Sequence, residues 1–189
     1  MIKKLLLFEK HTCPWWLAYT WDHRLRQLVH DADSILKPYV SNGHRVADIG
    51  CGMGYFSIAM AEYVGAAGRV FAVDRQPQML DVLNKRAQKR NPRLRIRTML
   101  AGREKDDIGL SLDFILTFWM LHEVDDKAAF LQNWYSHLKV GGKYLLVEPK
   151  IHTSRQLFDE EVKICRHIGF EQLSRPHVRV SRAVLFEKA

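Results

Sequence analysis

The chain has 189 residues, of which 47% are hydrophobic and 26% charged, and its formal net charge is +8 at pH 7. This length and composition predict one soluble domain with its own core and exclude a low-complexity or fibrous chain. The opening MIKKLLLF has only four consecutive apolar residues, too few for a signal peptide or a membrane span. The basic charge raises nucleic acid as a partner without deciding for it.

The three cysteines, Cys13, Cys51 and Cys165, are far apart and odd in number. This usage favours a reducing, cytoplasmic location over a disulfide framework, and no CxxC pair indicates a zinc site. No group of histidines and acids has the spacing of a divalent-metal site, so the sequence predicts no catalytic metal.

The segment HTCPWWLAYTWDH, residues 11–23, places three tryptophans, a tyrosine and a cysteine close together. By itself it is compatible with a stacking surface for nucleic acid, a reactive-thiol site or the apolar wall of a pocket. Plain core packing is a further explanation for each ring. The choice depends on the motifs that follow.

The strongest motif is VADIGCGMGYFSIAMA, residues 46–61. Residues 46–49 read as a short buried strand, and residues 55–64 are apolar on nearly all sides, as in a helix packed against a sheet. Gly50, Gly52 and Gly54 therefore lie in a strand-to-helix turn. Their missing side chains tolerate positive φ and let a ligand approach the backbone.

The glycine spacing narrows the choice of ligand. A dinucleotide fingerprint, GxGxxG, would place its third glycine where this chain has Tyr55. The observed pattern is D-x-G-x-G-x-G, beginning at Asp48. A second strand, residues 70–73, ends at Asp74, which is placed to accept hydrogen bonds from ribose hydroxyls. Asp74 alone suits a nicotinamide or an adenosine cofactor, so the choice between these two cofactors depends on Asp48 and the glycines.

VADIGCGMG followed by AVDRQPQML resembles the first two motifs of class I S-adenosylmethionine-dependent methyltransferases, and the resemblance covers about residues 40–150. The distal half is more similar to the small-molecule branch that includes ubiquinone/menaquinone and arsenite methyltransferases. The resemblance implies an α/β, Rossmann-like fold. It has a seven-stranded, mostly parallel sheet, helices on both faces and a C-terminal antiparallel hairpin.

The same resemblance implies contacts with S-adenosylmethionine, and S-adenosylhomocysteine as product. Gly50 and Gly52 would pack against the methionine part, Asp48 would reach its amino group and Asp74 would hold the ribose. The family usually has an acid near the adenine after the third strand, and this chain has no Asp at that place, so either backbone groups at Ala101 or Gly102, or Glu104 displaced by one turn, would contact the adenine. The remaining implied cofactor residues are Cys51 and Gly54 in the turn, Arg75, Gln76 and Met79 beside the adenosine, Ala101 and Gly102 beside the adenine, and Phe118 near the transferable methyl.

The rest of the chain divides into alternating helices and strands. Asp125 or Asp126 is expected to cap one helix, and Thr153 or Ser154 another that Gly169 closes. Cys165 is expected on the buried face of that last helix. The predicted elements are helix 76–90, strands 94–100, 113–117 and 143–148, helix 154–168 and a hairpin at about 170–187.

Residues 85–103 contain eight Lys or Arg and no acid. In the class I strand order the third strand is the sheet edge, where charges discourage edge-to-edge pairing. Basic residues also complement the carboxyl end of the preceding helix. We therefore favour a solvated edge over a nucleic-acid patch.

The run FWMLHEVDD follows the fourth strand, where ligands of open α/β folds bind. Phe118, Trp119 and His122 are thus expected near the methyl group. LHEV is similar to the family's common LHxV run, and not to the N/D-P-P-Y/F motif of enzymes that methylate exocyclic amines. His122 is a candidate base or a structural residue. Glu148 is a candidate substrate contact, or it caps or pairs locally.

Related enzymes carry a cap over the cofactor cleft, which implies a helical cap or lid over residues 1–40 and one compact methyltransferase domain over residues 41–189. In such a cap Tyr19 would touch the methionine carboxylate. Trp15 and Trp16 would form an apolar roof over the substrate, and Cys13 would be the one thiol able to reach it.

The sequence thus predicts a methyltransferase that acts on a small molecule by in-line displacement. An RNA-modifying methyltransferase and a non-catalytic S-adenosylmethionine-binding regulatory module stay as alternatives. Neither the acceptor atom (O, N, S or C) nor the oligomeric state can be read from the sequence.

Overall fold

The computed structural model describes residues 29–102 and 111–189, and within these residues seven strands form one sheet. Their lengths follow the short apolar runs of the sequence, which are bounded by glycine, proline and charged residues. The strands are β1 (Arg45–Ile49), β2 (Arg69–Asp74), β3 (Ile96–Leu100), β4 (Leu112–Phe118), β5 (Leu138–Pro149), β6 (Phe170–Ser174) and β7 (Ser181–Lys188).

The strand order across the sheet is β3-β2-β1-β4-β5-β7-β6. The pairs from β3 to β5 are parallel, whereas β7 runs antiparallel to both β5 and β6. The predicted fold, a mostly parallel seven-stranded sheet with a C-terminal antiparallel hairpin, is confirmed.

Helices cover both faces of the sheet. They are α1 (Ala32–Leu36), α2 (Tyr55–Val64), α3 (Pro77–Arg90), α4 (Lys127–His137) and α5 (Arg155–Ile168), with a 3₁₀ turn at Leu121–Glu123. Successive residues of a strand point to opposite faces. Accordingly Ile115 packs with the side of α4 and α5, and Phe114 and Leu116 pack with the side of α1 and α2.

Two helices have an N-terminal cap for which the sequence offered two candidate residues each, and the structure shows which residue is the cap. Asp126, rather than Asp125, accepts a hydrogen bond from Ala129 N at the start of α4 (2.9 Å). Ser154, rather than Thr153, accepts one from Leu157 N at the start of α5 (3.1 Å). These bonds satisfy N–H groups that a first helical turn leaves without a partner.

The start of β5 differs from the prediction. The sequence predicts the strand over residues 143–148 only, but β5 begins at Leu138, which pairs with Leu112. The register then shifts between Leu112 and Phe114, and Gly141 takes a positive φ of 74°. Gly141 and Gly142 therefore accommodate an irregular stretch inside β5. The local sequence does not distinguish such a stretch from a loop.

Strand β3 lies at one edge of the sheet, as predicted. The basic stretch occupies this edge and the end of α3, where Arg90 forms an ion pair with Glu62 (2.7 Å). Arg103, its last member, lies outside the described residues.

The predictions for Cys13, Trp15, Trp16 and Tyr19 lie outside the described residues. Of the predicted cap, residues 29–40 are described. Four apolar side chains of this stretch, Ala32, Ile35, Leu36 and Val40, are buried in the same cluster as α2 and the sheet. The boundary at residue 40 stays a prediction. In the part of the chain that the structure describes, no helix has both the length and the apolarity to cross a membrane.

Gly54 directly precedes α2, and the space around it shows how tightly the glycine turn 50–54 is packed. Its φ is +85°, and an added Cβ would lie 2.5 Å from Cγ of the fully buried Leu83. Gly43 has a similar φ of +83° but open space around an added Cβ. We expect Gly43→Ala to cost about 1–2 kcal/mol of backbone strain. Gly54→Ala should cost about 1–3 kcal/mol more, from overpacking.

Urea denaturation of the two variants measures this difference. Equal losses would show that Leu83 gives way and that the turn is not held by this contact.

Candidate functional site

The carboxyl ends of four parallel strands, β1, β2, β4 and β5, lie together at one edge of the sheet. This edge is distinct from the side of the sheet that β3 forms. Ile49 pairs with Val73 and with Thr117, and Phe118 pairs with Val147, so the residues that follow these strands meet there. Ligands of open α/β sheets bind outside the carboxyl ends of the strands. The segments gathered at this edge are the glycine turn 50–54, Asp74, residues 119–123 and Glu148.

The glycine turn after β1 needs its glycines for two different reasons. Gly50 and Gly52 have φ of +73° and +53°, which side chains disfavour. A Cβ on Gly50 would also lie 2.7 Å from the side chain of Met120. A Cβ on Gly52 would meet no described atom within 4 Å. The turn is therefore packed at Gly50 and open at Gly52.

Asp74, at the end of β2, holds this turn in place. Its carboxylate accepts hydrogen bonds from Gly52 N (2.8 Å) and Gln76 N (2.9 Å). Burial raises the pKa of Asp74, and these backbone N–H groups offset part of that rise. The Asp74 carboxylate thus lies beside the open side of the turn with its two oxygens fixed by the backbone.

Asp48 and Cys51 are both buried. The Asp48 carboxylate accepts a hydrogen bond from the fully buried Ser57 hydroxyl (2.5 Å). Burial raises the pKa of the Cys51 thiol well above its ordinary value, and the nearby Asp48 and Asp74 raise it further. Cys51 is therefore an uncharged thiol in the turn rather than a nucleophile.

The other residues predicted beside the cofactor follow β2 and β3. Met79 is buried, Gln76 half-buried and Arg75 exposed. Ala101 and Gly102 are exposed directly after β3, and Ala101 N donates to the Asp74 carbonyl (2.9 Å). The structure thus brings these predicted positions to the same edge of the sheet as Asp74.

Two aromatic residues lie at the end of β4, Phe118 as its last residue and Trp119 directly after it. Phe118 is buried with its ring 4.4 Å from that of Phe56. Trp119 has a positive φ of 61°, and its Nε1 donates to the Ser181 hydroxyl (2.9 Å). The buried His30 ring contacts both aromatic rings edge-on, at 4.9 Å. Sequence analysis missed His30, because it lies far from the motifs and reaches this site only through packing.

His122 and Glu148 form a hydrogen-bonded pair between Nδ1 and Oε2. Glu148 also accepts from Leu121 N (2.8 Å) and the Thr153 hydroxyl (3.2 Å). Its side chain is fully buried, whereas the His122 side chain is 19% exposed. Glu148 therefore pairs locally with His122, which was one of its two alternatives, and its role as a substrate contact stays a prediction.

The pair changes the proton affinity of His122. Burial alone would lower the pKa of the imidazole, but the hydrogen bond and charge of Glu148 outweigh it and raise the pKa above its ordinary value. With Nδ1 held by Glu148, Nε2 is the ring nitrogen left to exchange a proton.

Glu161, on α5, is a further residue that sequence analysis missed. It is fully buried, and neither carboxyl oxygen has a hydrogen-bond partner among the described residues. Burial and the charge of Glu148 raise its pKa to about 8. A signal was present, because Glu161 falls on the same helical face as the apolar Phe158, Val162 and Cys165.

Comparison with known proteins identifies the class of this domain. The family model described as a methyltransferase domain matches residues 46–142, more than half of the chain. The chain belongs to this family, and the resemblance to class I S-adenosylmethionine-dependent methyltransferases is confirmed. Across residues 29–102 and 111–189, no three or more His, Cys, Asp or Glu cluster in a way that could hold a metal ion.

Particular relatives are more distant. The chain is 28% identical over 139 residues to the demethylmenaquinone methyltransferase of Geobacillus sp. (strain WCH70), covering 70% of this chain and 58% of that protein. It is 34% identical over 108 residues to a cypemycin N-terminal methyltransferase of Streptomyces sp., covering 56% and 42%. The chain thus spans about half the length of these curated relatives.

A solved structure supports the fold over nearly the whole chain. A SAM-dependent methyltransferase from Aquifex aeolicus matches with a TM-score of 0.81 and 19% identity, covering 94% of this chain and 100% of that one.

The His122–Glu148 pair predicts a pH-dependent contribution to stability. Because the folded pKa of His122 is raised, the pair stabilises the fold fully below the unfolded value of about 6.5 and loses this contribution as pH rises through the folded pKa. Glu148→Gln should therefore destabilise the protein by about 1 kcal/mol more at pH 5.5 than at pH 9.

Chemical denaturation at the two pH values measures this difference. Glu171→Gln, at an exposed position of β6, is the matched control and should show none. An equal cost of Glu148→Gln at both pH values would contradict the raised pKa.

Proposed function

We propose that this chain is an S-adenosylmethionine-dependent methyltransferase whose acceptor is a small molecule. The observation that carries the proposal is the meeting of two features at one sheet edge. One is the open glycine turn beside Asp74, and the other is the His122–Glu148 pair. The first suits a nucleoside cofactor, and the second suits an acceptor that loses a proton.

The residues of the turn fit the cofactor. The space beside Gly52 lets a ligand approach the backbone. Each Asp74 oxygen accepts one backbone N–H and keeps lone-pair capacity for ribose hydroxyls. Asp48 supplies a second carboxylate for an amino group, and the uncharged Cys51 adds no competing charge. Arg75, Gln76, Met79, Ala101, Gly102 and Phe118 would complete the cofactor contacts.

Bound S-adenosylmethionine would supply an electrophilic methyl group attached to a positively charged sulfur. His122 Nε2 accepts the proton of an acceptor O–H or N–H as the new bond forms. Glu148 orients the ring through Nδ1 and stabilises the imidazolium, while Leu121 N and Thr153 keep the carboxylate in place. Trp119, anchored by Ser181, is the proposed wall of the acceptor site.

The acceptor class follows from the relatives and from charge. The Geobacillus relative is named a demethylmenaquinone methyltransferase, which favours a small-molecule acceptor. The basic stretch at residues 85–103 would favour an RNA acceptor. However, this stretch lies along β3 at the side of the sheet, separated by β2 and β1 from β4 and the proposed acceptor site, and its Arg90 is already paired with Glu62. A non-catalytic binding module would not need a histidine held by a buried glutamate. The predicted cytoplasmic location stays a prediction.

Asp74 should be required for cofactor binding. Asp74→Asn keeps the side-chain shape but removes the charge that hydroxyl donors favour and one of the two oxygens that accept backbone N–H groups of the turn, so we expect affinity for S-adenosylhomocysteine to fall about tenfold or more. Isothermal titration calorimetry measures it. Asp81→Asn, an exposed position on α3, is the control. Unchanged affinity of Asp74→Asn would remove Asp74 from the cofactor site.

His122 should be required for transfer but not for cofactor binding. With a labelled methyl group and small-molecule extract as acceptor, His122→Asn should lower turnover about 10² to 10⁴-fold. Its affinity for S-adenosylhomocysteine should stay close to that of the wild type. His177→Asn, at an exposed position, is the control.

The same assay separates the alternatives. Label found only in an RNA fraction would support the RNA-modifying enzyme. Binding of S-adenosylmethionine without turnover on broad extracts would support the non-catalytic module, and no binding would exclude both enzyme proposals.

A further inference from the structure

The strongest unexplained group in the structure is the buried carboxyl of Glu161. His122, one of the groups near it, also faces Glu123 and the His152 ring, whose centroid lies 6.5 Å from that of His122. The titratable groups that act electrostatically on Glu161 come from several elements. They are His122 on the 3₁₀ turn, Lys127 on α4, Glu148 and Tyr144 on β5, and Glu160 and Cys165 on its own helix. None of these supplies a hydrogen bond to either Glu161 oxygen.

The polar neighbours are engaged elsewhere. Lys127 Nζ donates to the Val124 carbonyl (2.8 Å), and the Tyr144 hydroxyl shares a hydrogen bond with Thr117 (2.7 Å). Glu148 is bonded to Leu121, His122 and Thr153. The negative charge of the cluster therefore belongs on Glu148, which has three donors, and not on Glu161, which has none.

Two buried carboxyls beside one imidazole are coupled. Both can ionise only at a large electrostatic cost, which added positive charge reduces. The pKa of about 8 for Glu161, caused by burial and by Glu148, agrees with a carboxyl that stays neutral at pH 7. When Glu161 releases its proton to solvent, its new negative charge favours the imidazolium form of His122.

We propose that Glu161 is a positioning residue for the proposed base, neutral in the working enzyme, whose ionisation raises the proton affinity of His122. The catalytic consequence rests on the proposed function, since it requires His122 to act as the base. A neutral Glu161 keeps His122 able to give up its proton near neutral pH. An ionised Glu161 makes His122 hold its proton to higher pH.

NMR titration of the histidine ring carbons tests the coupling without any turnover. In the wild type, the His122 signal should titrate over a wider pH range than a single site, with a second inflection near that of Glu161. In Glu161→Gln, which imitates the neutral carboxyl, His122 should follow a single-site curve. Its midpoint should be about 0.5 to 1 pH unit lower.

Glu160→Gln is the matched control, because Glu160 lies next to Glu161 on α5 but is exposed. Its His122 curve should match the wild type. A Glu161→Gln curve that also matches the wild type overturns the proposal.

The wild-type protein gives a second measurement that does not depend on the variant folding. The side-chain carboxyl carbon of Glu161 should titrate well above the ordinary glutamate range, and a midpoint near 4.3 would overturn the proposal. If His122→Asn keeps full activity while the coupling is observed, the base role fails and the coupling stands.

Discussion

The buried carboxylate of Glu148 is the interaction on which the site depends. It bonds to Leu121 N and His122 after β4 and to Thr153 before α5, so one side chain joins three segments. Removing a carboxylate from water costs several kcal/mol unless its lone pairs are satisfied. Here the donors satisfy it, and the arrangement also fixes which nitrogen of His122 is bound. Stability and proton affinity therefore share one cause.

A hydrogen-bonded carboxylate also holds the glycine turn, but it is less enclosed than that of Glu148. Asp74 is less completely buried than Glu148, and its carboxylate accepts hydrogen bonds from the backbone N–H groups of Gly52 and Gln76. Its role in the fold leaves lone pairs for a ligand. The two carboxylates thus have different roles. Asp74 holds the glycine turn beside a surface that stays open at Gly52, whereas Glu148 is fully buried behind His122.

The sequence predicts the parts of this structure that depend on local pattern. Apolar runs and glycine spacing locate the strands and the turn at Gly50 to Gly54, and the caps locate two helix starts to within one residue, before the structure selects Asp126 and Ser154. It does not predict what depends on long-range packing. The strand start at Leu138 depends on pairing with Leu112. The orientation of Glu148 depends on hydrogen bonds from Leu121, His122 and Thr153, which lie in other segments. Glu161 was visible as an acid on an apolar face, but its neighbours were not.

The charge arrangement also bears on the kind of acceptor. In the proposed mechanism His122, whose pKa is raised chiefly by Glu148, is a base of moderate strength, and the proposed neutral Glu161 adds no further negative charge beside it. General-base catalysis is most effective when the pKa of the base is near the working pH. Such a base matches a proton on oxygen or nitrogen that becomes acidic as the methyl group bonds, and it is too weak for an unactivated C–H bond. Under the proposed function, with His122 as the base, this site thus favours O- or N-methylation, or methylation of a carbon made acidic by a neighbouring hydroxyl or carbonyl.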